Sequence, residues 1–424
     1  MERPTLISPH RARDLSATFG TPLYIYDFAS LRMHAQAALR FPNAFGLTVR
    51  YAMKAAPNAA ILHIFDAEGL HFDAGSGYEV ERALKAGISP AKICLSTQEM
   101  PANFAELIAQ GIQFNACSLH QIERFGKTFP NSVLGLRFNP GLGSGSTAKT
   151  NVGGPASSFG IWHAAIDEAK SLLEKHRLRA ARVHTHIGSG SDPSIWERAA
   201  RLSLDLARHL PNVTTLNLGG GFKIARMATE TAANLDAIGS SVRSAFIALA
   251  AETGRHLHLE IEPGAYLVAN AGAVLAKVQD TTTTGPEGFT FLKLDAGMTE
   301  ILRPSLYGAQ HPITIIHQAC NTATARRTEP SVVVGHCCES GDLLTPAPND
   351  AETLAPRTLN HARIGDLCVI GGAGAYCSAM AAKNYNSFPE AAEVLLDETG
   401  TPHLIRKRQT LDQIIQNEIA YPLP

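Results

Sequence analysis

The sequence predicts an α/β protein: a (β/α)8 barrel with a second, C-terminal antiparallel β domain. From about residue 30 to residue 270, short apolar runs typical of strands alternate with helical patterns. Eight such runs in about 240 residues match the strand number of a (β/α)8 barrel and its usual length of about 250 residues. After residue 271, β-branched and polar residues alternate and helical patterns become rare. We therefore expect the barrel at residues 30–270 and the β domain at residues 271–424.

Each predicted barrel strand ends close to a polar residue or a glycine. These ends lie near Lys54, Asp73, Ser96, Asn115, Asn139, His186, Gly219 and Glu262. The segments GYEVERALKAG, ANFAELIAQG and SLHQIERFG have apolar residues at helical spacing, and each helix is expected to end near its closing glycine. The strand-like run TPLYIYD predicts that residues 1–29 pair with the C-terminal sheet. Glycine-rich residues 141–158 predict an inserted loop after the fifth barrel strand.

The composition favours a small-molecule partner. The 424 residues carry 37 basic and 38 acidic side chains, a net charge of -1, so no basic footprint for nucleic acid or an anionic membrane is present. No run approaches the roughly 18 apolar residues of a membrane span, and the first residues lack the apolar stretch of a signal peptide. The seven cysteines form no C-x-x-C pair, and we expect reduced thiols in a cytoplasmic protein.

The expected carboxyl ends of the barrel strands carry unusual groups. Lys54 ends an otherwise apolar first strand, although a lysine in this position is more often a solvated charge. Gly219, Gly220 and Gly221 follow the seventh strand, where their backbone amides could approach a phosphate. A tight turn explains the three glycines equally well.

Two pairs of polar residues alternate along later strands and are expected to face inward. His184 and His186 share one face of the sixth strand. We expect no metal there, since no further ligands have suitable spacing, and favour stacking of His186 on a planar ligand. Glu260 and Glu262 alternate along the eighth strand, and an inward carboxylate requires a cation or a proton donor.

Taken in order, the motifs resemble a known family. They are YAMKAAPN, HIGSG, GGGF, EPG, DAGM followed by RPSLYG, CESGD, GAY and NYNSFPEAAEVL. The chain resembles the fold-type III pyridoxal-phosphate decarboxylases and, within them, the diaminopimelate decarboxylase family. The resemblance covers residues 20 to 420.

The resemblance implies pyridoxal 5'-phosphate as cofactor. Lys54 would hold it as a Schiff base, His186 would stack on its ring, and Glu262 would keep the pyridine nitrogen protonated. The phosphate would be bound by Ser189, Gly219, Gly220, Gly221, Gly264 and Tyr376.

The resemblance also implies the reaction. The amine of meso-2,6-diaminopimelate would displace Lys54 to form an external aldimine, and loss of carbon dioxide and protonation of the carbanion would give L-lysine, the last step of lysine biosynthesis. Cys338 would be the acid, and a buried structural role is the other explanation for it. The cysteine and its neighbouring acid would reach the site of the other subunit, so the resemblance implies a homodimer with shared active sites.

The implied substrate-binding residues are Arg303, Tyr307, Glu339 and Tyr376. Arg303 suits a carboxylate through its planar fork, whereas Glu339 suits the distal ammonium group. The related ornithine enzymes have Asp in place of Glu at the CESGD motif, so this motif favours diaminopimelate.

Several positions depart from the family pattern. Ala265 occupies the place of the arginine in the usual EPGR, which pairs with the distal carboxylate, and leaving a buried carboxylate unpaired costs about 2–5 kcal/mol. Lys383 is one possible substitute cation. His336 and Cys337 precede Cys338 where the family often has Gly-Pro-x, and Phe388 replaces the arginine of NYNSRP.

These departures leave other functions open. The first alternative is a related decarboxylase for a different amino acid or a carrier-tethered substrate, because Ala265 replaces the family arginine. An alanine racemase is disfavoured because the CESGD and YNS motifs are present. A catalytically inactive regulator is disfavoured because Lys54, His186, Glu262 and Cys338 are all retained.

Overall fold

The computed structural model describes residue 2 and residues 6–145, 152–318 and 327–422. The chain divides into two compact units. The barrel unit consists of Leu31–Ile224 and Thr231–Leu267, and the β unit of Met1–Ser30, Ala225–Glu230 and Val268–Pro424. Cys320 and residues 146–151 of the predicted loop lie outside the described residues. In the described part of the chain, no helix has both the length and the apolar character needed to cross a membrane.

The barrel unit contains a closed ring of parallel strands. Within the described residues, this ring has eight strands: β2 (Leu47–Ala52), β3 (His71–Ala74), β4 (Ile93–Leu95), β5 (Gln113–Ala116), β6 (Val133–Asn139), β8 (Arg179–Thr185), β9 (Thr215–Asn217) and β10 (His258–Ile261). Each pairs in parallel with the next, and β10 pairs with β2 to close the ring. The short strand β7 (Ile161–Trp162) adds to β6. The predicted barrel is confirmed, and every strand ends within two residues of its predicted end.

Helices connect the barrel strands. They are α2 (Phe28–Leu39), α3 (Ala59–Ala67), α4 (Gly77–Lys85), α5 (Phe104–Ala109), α6 (Leu119–Thr128), α7 (Ile166–His176), α8 (Pro193–Arg208), α9 (Leu235–Thr253) and α10 (Ala265–Val268). Ser76 and Ser118 cap α4 and α6 through their side chains. The third of these helices, α6, ends two residues after Gly126, so Gly126 lies within the helix and is not its C-terminal cap. Gly126 is required instead for packing, since a Cβ there would lie 2.3 Å from Cγ of His176.

A buried layer of polar side chains crosses the barrel below its carboxyl end. Glu260 accepts hydrogen bonds from Arg50 at 2.8 Å and from Arg182 at 2.8 Å. Both arginines also donate to Oε1 of Gln113, at 2.8 and 2.6 Å. Glu260 therefore has the cationic partners that an inward-facing carboxylate requires.

The β unit is built on a mixed sheet. Its strands are β1 (Leu23–Asp27), β11 (Gly272–Thr283), β12 (Thr290–Leu294), β13 (Ile313–Ile316), β14 (Thr328–Val334), β17 (Arg357–Asn360), β18 (Leu367–Ile370), β19 (Ala392–Leu396) and β20 (Pro402–Arg406). The strands β15 (Pro346–Ala347) and β16 (Asp350–Leu354) form a separate pair, and the helices are α1 (Pro9–Phe19), α11 (Arg303–Tyr307) and α12 (Leu411–Ile415).

Strand β1 pairs with both β11 and β19, so the N-terminal segment contributes a strand to the C-terminal sheet. The sheet is mostly antiparallel, which confirms the predicted class, but β1–β19 and β12–β14 are parallel. Parallel pairs require long crossover connections, and both pairs are separated by long stretches of chain. Ile7, Ala12 and Leu15 pack with Leu23 and Ile25 in the core of this unit.

Candidate active site

Three predicted site residues follow directly after barrel strands. Lys54 lies in the 3₁₀ turn Met53–Ala55 after β2, His186 follows β8, and Glu262 follows β10. The positive charge of Lys54 contributes to the lowered pKa of His186 and opposes the raised pKa of Asp73. The barrel therefore brings an amine, an imidazole and two carboxyl groups to its carboxyl end, where barrel enzymes carry out chemistry.

Glu262 is a buried carboxylate held in place by its neighbours. The side-chain amide of Asn217 donates to Oε1 of Glu262 at 2.6 Å, and Nε2 of His184 lies 3.2 Å from Oε2. Burial opposes ionisation of Glu262, but the contact with His184 and the charge of Arg137 outweigh it and hold the pKa well below its usual range. Glu262 is therefore an anion that suits a protonated ring nitrogen.

His184, in β8, and His186, directly after it, have different surroundings. Burial lowers the pKa of both, so each is neutral at neutral pH. His184 contacts Asn115 through Nδ1 and Glu262 through Nε2. Nδ1 of His186 is buried and has no hydrogen-bond partner among the described residues. Among the described residues, no cluster of three or more His, Cys, Asp or Glu side chains is arranged to hold a metal ion.

Asp73 also belongs to this site. The strand pattern predicts it at a strand end but assigns it no role. Burial, followed by the negative charge of Glu262, raises its pKa to about 8, against the opposing charges of Lys54 and Arg137. Its Oδ1 atom is buried without a partner in the described ranges. Its position at the end of β3 was the only signal in the sequence.

The glycine run combines tight packing with unpaired backbone donors. A Cβ at Gly220 would lie 2.0 Å from the carbonyl oxygen of Glu262, and one at Gly221 would lie 1.5 Å from that of Gly188. Gly219 and Gly221 have positive φ angles of 69° and 95°. The amides of Gly220 and Gly221 donate to no acceptor within the described chain. The turn is therefore sterically required, and it also presents two amides that suit an anion.

Two further predicted cofactor residues flank this turn. The amide of Ser189 donates to the carbonyl of Ser144 at 3.0 Å, and the Ser144 hydroxyl donates back to the carbonyl of Ser189 at 2.9 Å. Gly264 directly precedes α10. These residues, with Lys54, the unpaired His186 and the ionised Glu262, form a donor set that fits pyridoxal phosphate.

In the β unit, the CESGD and NYNS motifs contact each other. The amide of Cys338 donates to Oδ1 of Asn386 at 3.0 Å, and the hydroxyl of Tyr385 donates to Oε2 of Glu339 at 2.9 Å. Cys338 and Glu339 are exposed in the single chain. Asn386 has a φ of 51°, a left-handed conformation that asparagine tolerates better than other residues with a side chain.

The remaining predicted substrate residues also lie in the β unit. Arg303 begins α11, and its Cζ atom lies 5.8 Å from the ring centroid of Tyr307. The hydroxyl of Tyr307 donates to Sδ of Met380 at 4.0 Å. Tyr376 has a positive φ of 54°. Lys383, the possible substitute cation, lies 2.7 Å from Oε2 of Glu390, so its charge is already paired.

The comparisons with known proteins agree with this geometry. The family described as pyridoxal-dependent decarboxylase, pyridoxal binding domain, matches residues 31–269. A diaminopimelate decarboxylase of Streptomyces coelicolor is 34% identical over 99% of this chain and 94% of its own length. A crystal structure of diaminopimelate decarboxylase has a TM-score of 0.88 at 32% identity, covering 95% of this chain and 94% of that one. The M. jannaschii enzyme in co-complex with L-lysine has a TM-score of 0.85 at 26% identity, covering 97% and 95%.

Proposed function

Because the chain belongs to the pyridoxal-dependent decarboxylases, and within them to the diaminopimelate decarboxylase family, we propose that it converts meso-2,6-diaminopimelate to L-lysine and carbon dioxide. The observation that carries this proposal is the set of Lys54, His186 and Glu262 at the carboxyl end of the barrel, in a chain similar over its whole length to enzymes of that name. The L-lysine bound to the M. jannaschii relative is the expected product.

The cofactor of the family is pyridoxal phosphate, which accepts the electron pair released when carbon dioxide leaves. We propose that Lys54 binds it through Nζ and that the imidazole of His186 covers its ring. The neutral state of His186 supports this role, because an imidazolium would repel a protonated pyridine ring. Its phosphate would be held by Ser189, Gly219, Gly220, Gly221, Gly264 and Tyr376.

The protein's own groups would control the protons. The ionised Glu262, whose carboxylate is fixed by the buried amide of Asn217, would accept a hydrogen bond from a protonated ring nitrogen and stabilise that proton. Nζ of Lys54 would hold a proton while the substrate amine is bound in its place. Cys338 delivers a proton from Sγ to the carbon that has lost its carboxylate.

Substrate recognition would come from the β unit. We propose that Arg303 binds a carboxylate, Glu339 binds the distal ammonium group, and Tyr307 and Tyr376 orient the substrate. The contact between Tyr385 and Glu339 supports this proposal, because it fixes the carboxylate at a defined position.

The first test is the release of carbon dioxide by the purified protein with pyridoxal phosphate. We expect rapid turnover of meso-diaminopimelate with formation of equal amounts of L-lysine, and no turnover of L-lysine, L-ornithine or L-arginine. Lys54→Ala serves as the blank. Faster release from another amino acid would instead support the alternative decarboxylase; the similarity to diaminopimelate decarboxylases does not favour that alternative.

We also propose that the protein is a homodimer in which Cys338 and Glu339 serve the active site of the other subunit. Their exposure in the single chain is consistent with this role. Mixing the inactive variants Lys54→Ala and Cys338→Ala should restore about a quarter of the activity, because about half of the dimers would be mixed and each would have one intact site. No recovery on mixing would place both residues in one subunit's site. Full activity of Cys338→Ala alone would exclude it as the acid.

A further inference from the structure

Arg226 is a buried cation whose guanidinium is only partly paired. Its segment, Ala225–Glu230, groups with the β unit although barrel residues flank it in the sequence. The side chain is 9% exposed. Its Nε atom donates to the carbonyl of Gly372 at 2.9 Å, whereas Nη2 is buried and has no partner among the described residues.

The groups around Arg226 have unused nitrogen atoms as well. Nε of Arg303 and Nε2 of His311 are both buried without hydrogen-bond partners in the described chain. Nδ1 of His311 is bound to the carbonyl of Gly371 at 2.9 Å, which leaves Nε2 available. Burial, followed by the positive charge of Arg303, lowers the pKa of Arg226 to about 9. Arg226, Arg303 and His311 are called the arginine cluster below.

Glu230, an acid whose charge acts on Arg226, does not bind the guanidinium directly. Oε2 of Glu230 accepts from the backbone amides of Arg226 and Met227, at 2.6 and 2.9 Å, rather than from the guanidinium. Within the described residues, no ion pair joins Arg226 or Arg303 to a carboxylate. Two guanidinium groups that are partly desolvated and unpaired are costly, so the arrangement favours binding of an anion.

The backbone is built to hold Arg226 in this position. Gly372 has a φ of 63°, and a Cβ there would lie 2.9 Å from Cγ of Arg226. The glycine therefore makes space for the arginine stem while its carbonyl fixes Nε. With Nε held by this carbonyl, Nη2 remains as a charged donor for one oxygen of a second acceptor such as a carboxylate.

We infer that Arg226 is a specificity-determining residue that binds, together with Arg303, the carboxylate that the substrate retains at its non-reacting end. This inference rests on the proposed function, since both meso-diaminopimelate and L-lysine carry that carboxylate. Arg226 would also supply the cation that is missing where Ala265 replaces the family arginine. Its Nη2 atom has no hydrogen-bond partner within the described residues.

The test compares ligands that differ only in this carboxylate. L-lysine and 1,5-diaminopentane are measured as competitive inhibitors of the cofactor-loaded enzyme, with meso-diaminopimelate as substrate. We expect the wild-type enzyme to bind L-lysine at least tenfold more tightly than the diamine. Arg226→Met should abolish this preference and raise the KM for meso-diaminopimelate at least tenfold, with kcat changed by less than threefold, because the carboxylate is bound equally before and during the reaction.

Two further variants control for structural damage. Arg226→Lys keeps the positive charge but removes the planar guanidinium, and should give an intermediate preference for L-lysine over the diamine. Arg408→Met removes another arginine of the β unit, one that donates to the carbonyl of Pro22 at 2.6 Å, and should leave the preference unchanged. If Arg226→Met does not fold, Arg226→Lys decides the question through the same ratio of inhibition constants.

The possible failures are separable. An unchanged ratio in folded Arg226→Met or Arg226→Lys would overturn the inference. The inference would also be overturned if a variant kept the ratio of inhibition constants but bound pyridoxal phosphate or inorganic phosphate more weakly. The anion held by Arg226 would then be a phosphate group. A wild-type enzyme that releases no carbon dioxide from meso-diaminopimelate would contradict the proposed function. Binding of L-lysine and the diamine would then be measured directly through the absorbance of the bound cofactor, and a preference for L-lysine that Arg226→Met abolishes would leave Arg226 as a carboxylate site.

Discussion

The ring of Phe388 lies flat against the imidazole of His336, with ring centroids 3.7 Å apart and planes inclined by 6°. Both residues depart from the family pattern, and the structure shows that the two departures form one contact. Nε2 of His336 also lies 2.6 Å from the hydroxyl oxygen of Thr299. Burial lowers the pKa of His336, so the stacked ring is neutral at neutral pH. The aromatic pair thus links the NYNSFP segment to the residue that begins the HCCESGD segment.

Phe388→Ala should therefore destabilise the β unit. An aromatic pair contributes about 0.5–1.5 kcal/mol beyond the area it buries, and we expect the free energy of unfolding to fall by about 1–2 kcal/mol. Urea titration checks this value. Phe289→Ala is the matched control, because Phe289 is 38% exposed and meets Phe291 edge to face at 6.1 Å. Equal losses in the two variants would show that the stack on His336 has no special role.

Asn217 joins Glu262 to the glycine turn. Its amide nitrogen donates to Glu262 at 2.6 Å, and its amide oxygen accepts from the amide of Gly219 at 2.8 Å. Asn217→Asp would replace the donor with a second carboxyl group, and two like charges in contact raise the pKa of the pair. We expect kcat at neutral pH to fall at least tenfold and the acidic limb of its pH profile to move to higher pH. A lower kcat with an unmoved profile would contradict this account of Glu262.

Asp342 organises the turn that carries Cys338. Its carboxylate accepts from the amide of Met298 at 2.6 Å and from that of Cys337 at 2.8 Å. A Cβ at Gly297 or Gly335 would lie 2.2 Å from Oδ2 of Asp342, so the two glycines leave space for this carboxylate.

Asp342→Ala should leave both amides without an acceptor. Each buried, unpaired amide costs about 1–3 kcal/mol, and we expect a loss of about 2–4 kcal/mol in the free energy of unfolding, together with a lower kcat. Asp342→Asn keeps one acceptor oxygen and should lose less. Asp350→Ala is the control, because Asp350 is exposed and also accepts from two backbone amides. A loss no larger than that of Asp350→Ala would refute this role.

The barrel and its strand ends could be predicted from the sequence because each strand is a short apolar run that stops at a polar residue. The positions of Lys54, His186 and Glu262 at strand ends could be predicted in this way, whereas the roles expected of them came only from the family resemblance. Arg226 could not be found by such reasoning. In the segment GGGFKIAR an arginine is normally a solvated charge, and only its burial against Gly372 reveals an unpaired donor. Likewise, the stack of Phe388 on His336 joins residues 52 positions apart, and no local pattern predicts it.

The raised pKa of Asp73 predicts a pH-dependent stability. In the folded protein its pKa is about 8, whereas its ordinary value is 3.8. Between these two pH values the carboxyl group of Asp73 is ionised in the unfolded chain but still protonated in the folded protein. The contribution of Asp73 to the free energy of unfolding is therefore fully present below about pH 4 and is lost as the pH rises through 8. Asp73→Asn cannot ionise, so the variant should gain stability relative to wild type as the pH rises. Urea titrations at pH 5, 6.5 and 8 measure this difference, with Asp167→Asn as the control because Asp167 is 85% exposed. A difference that is the same at all three pH values would show that Asp73 ionises normally in the folded protein.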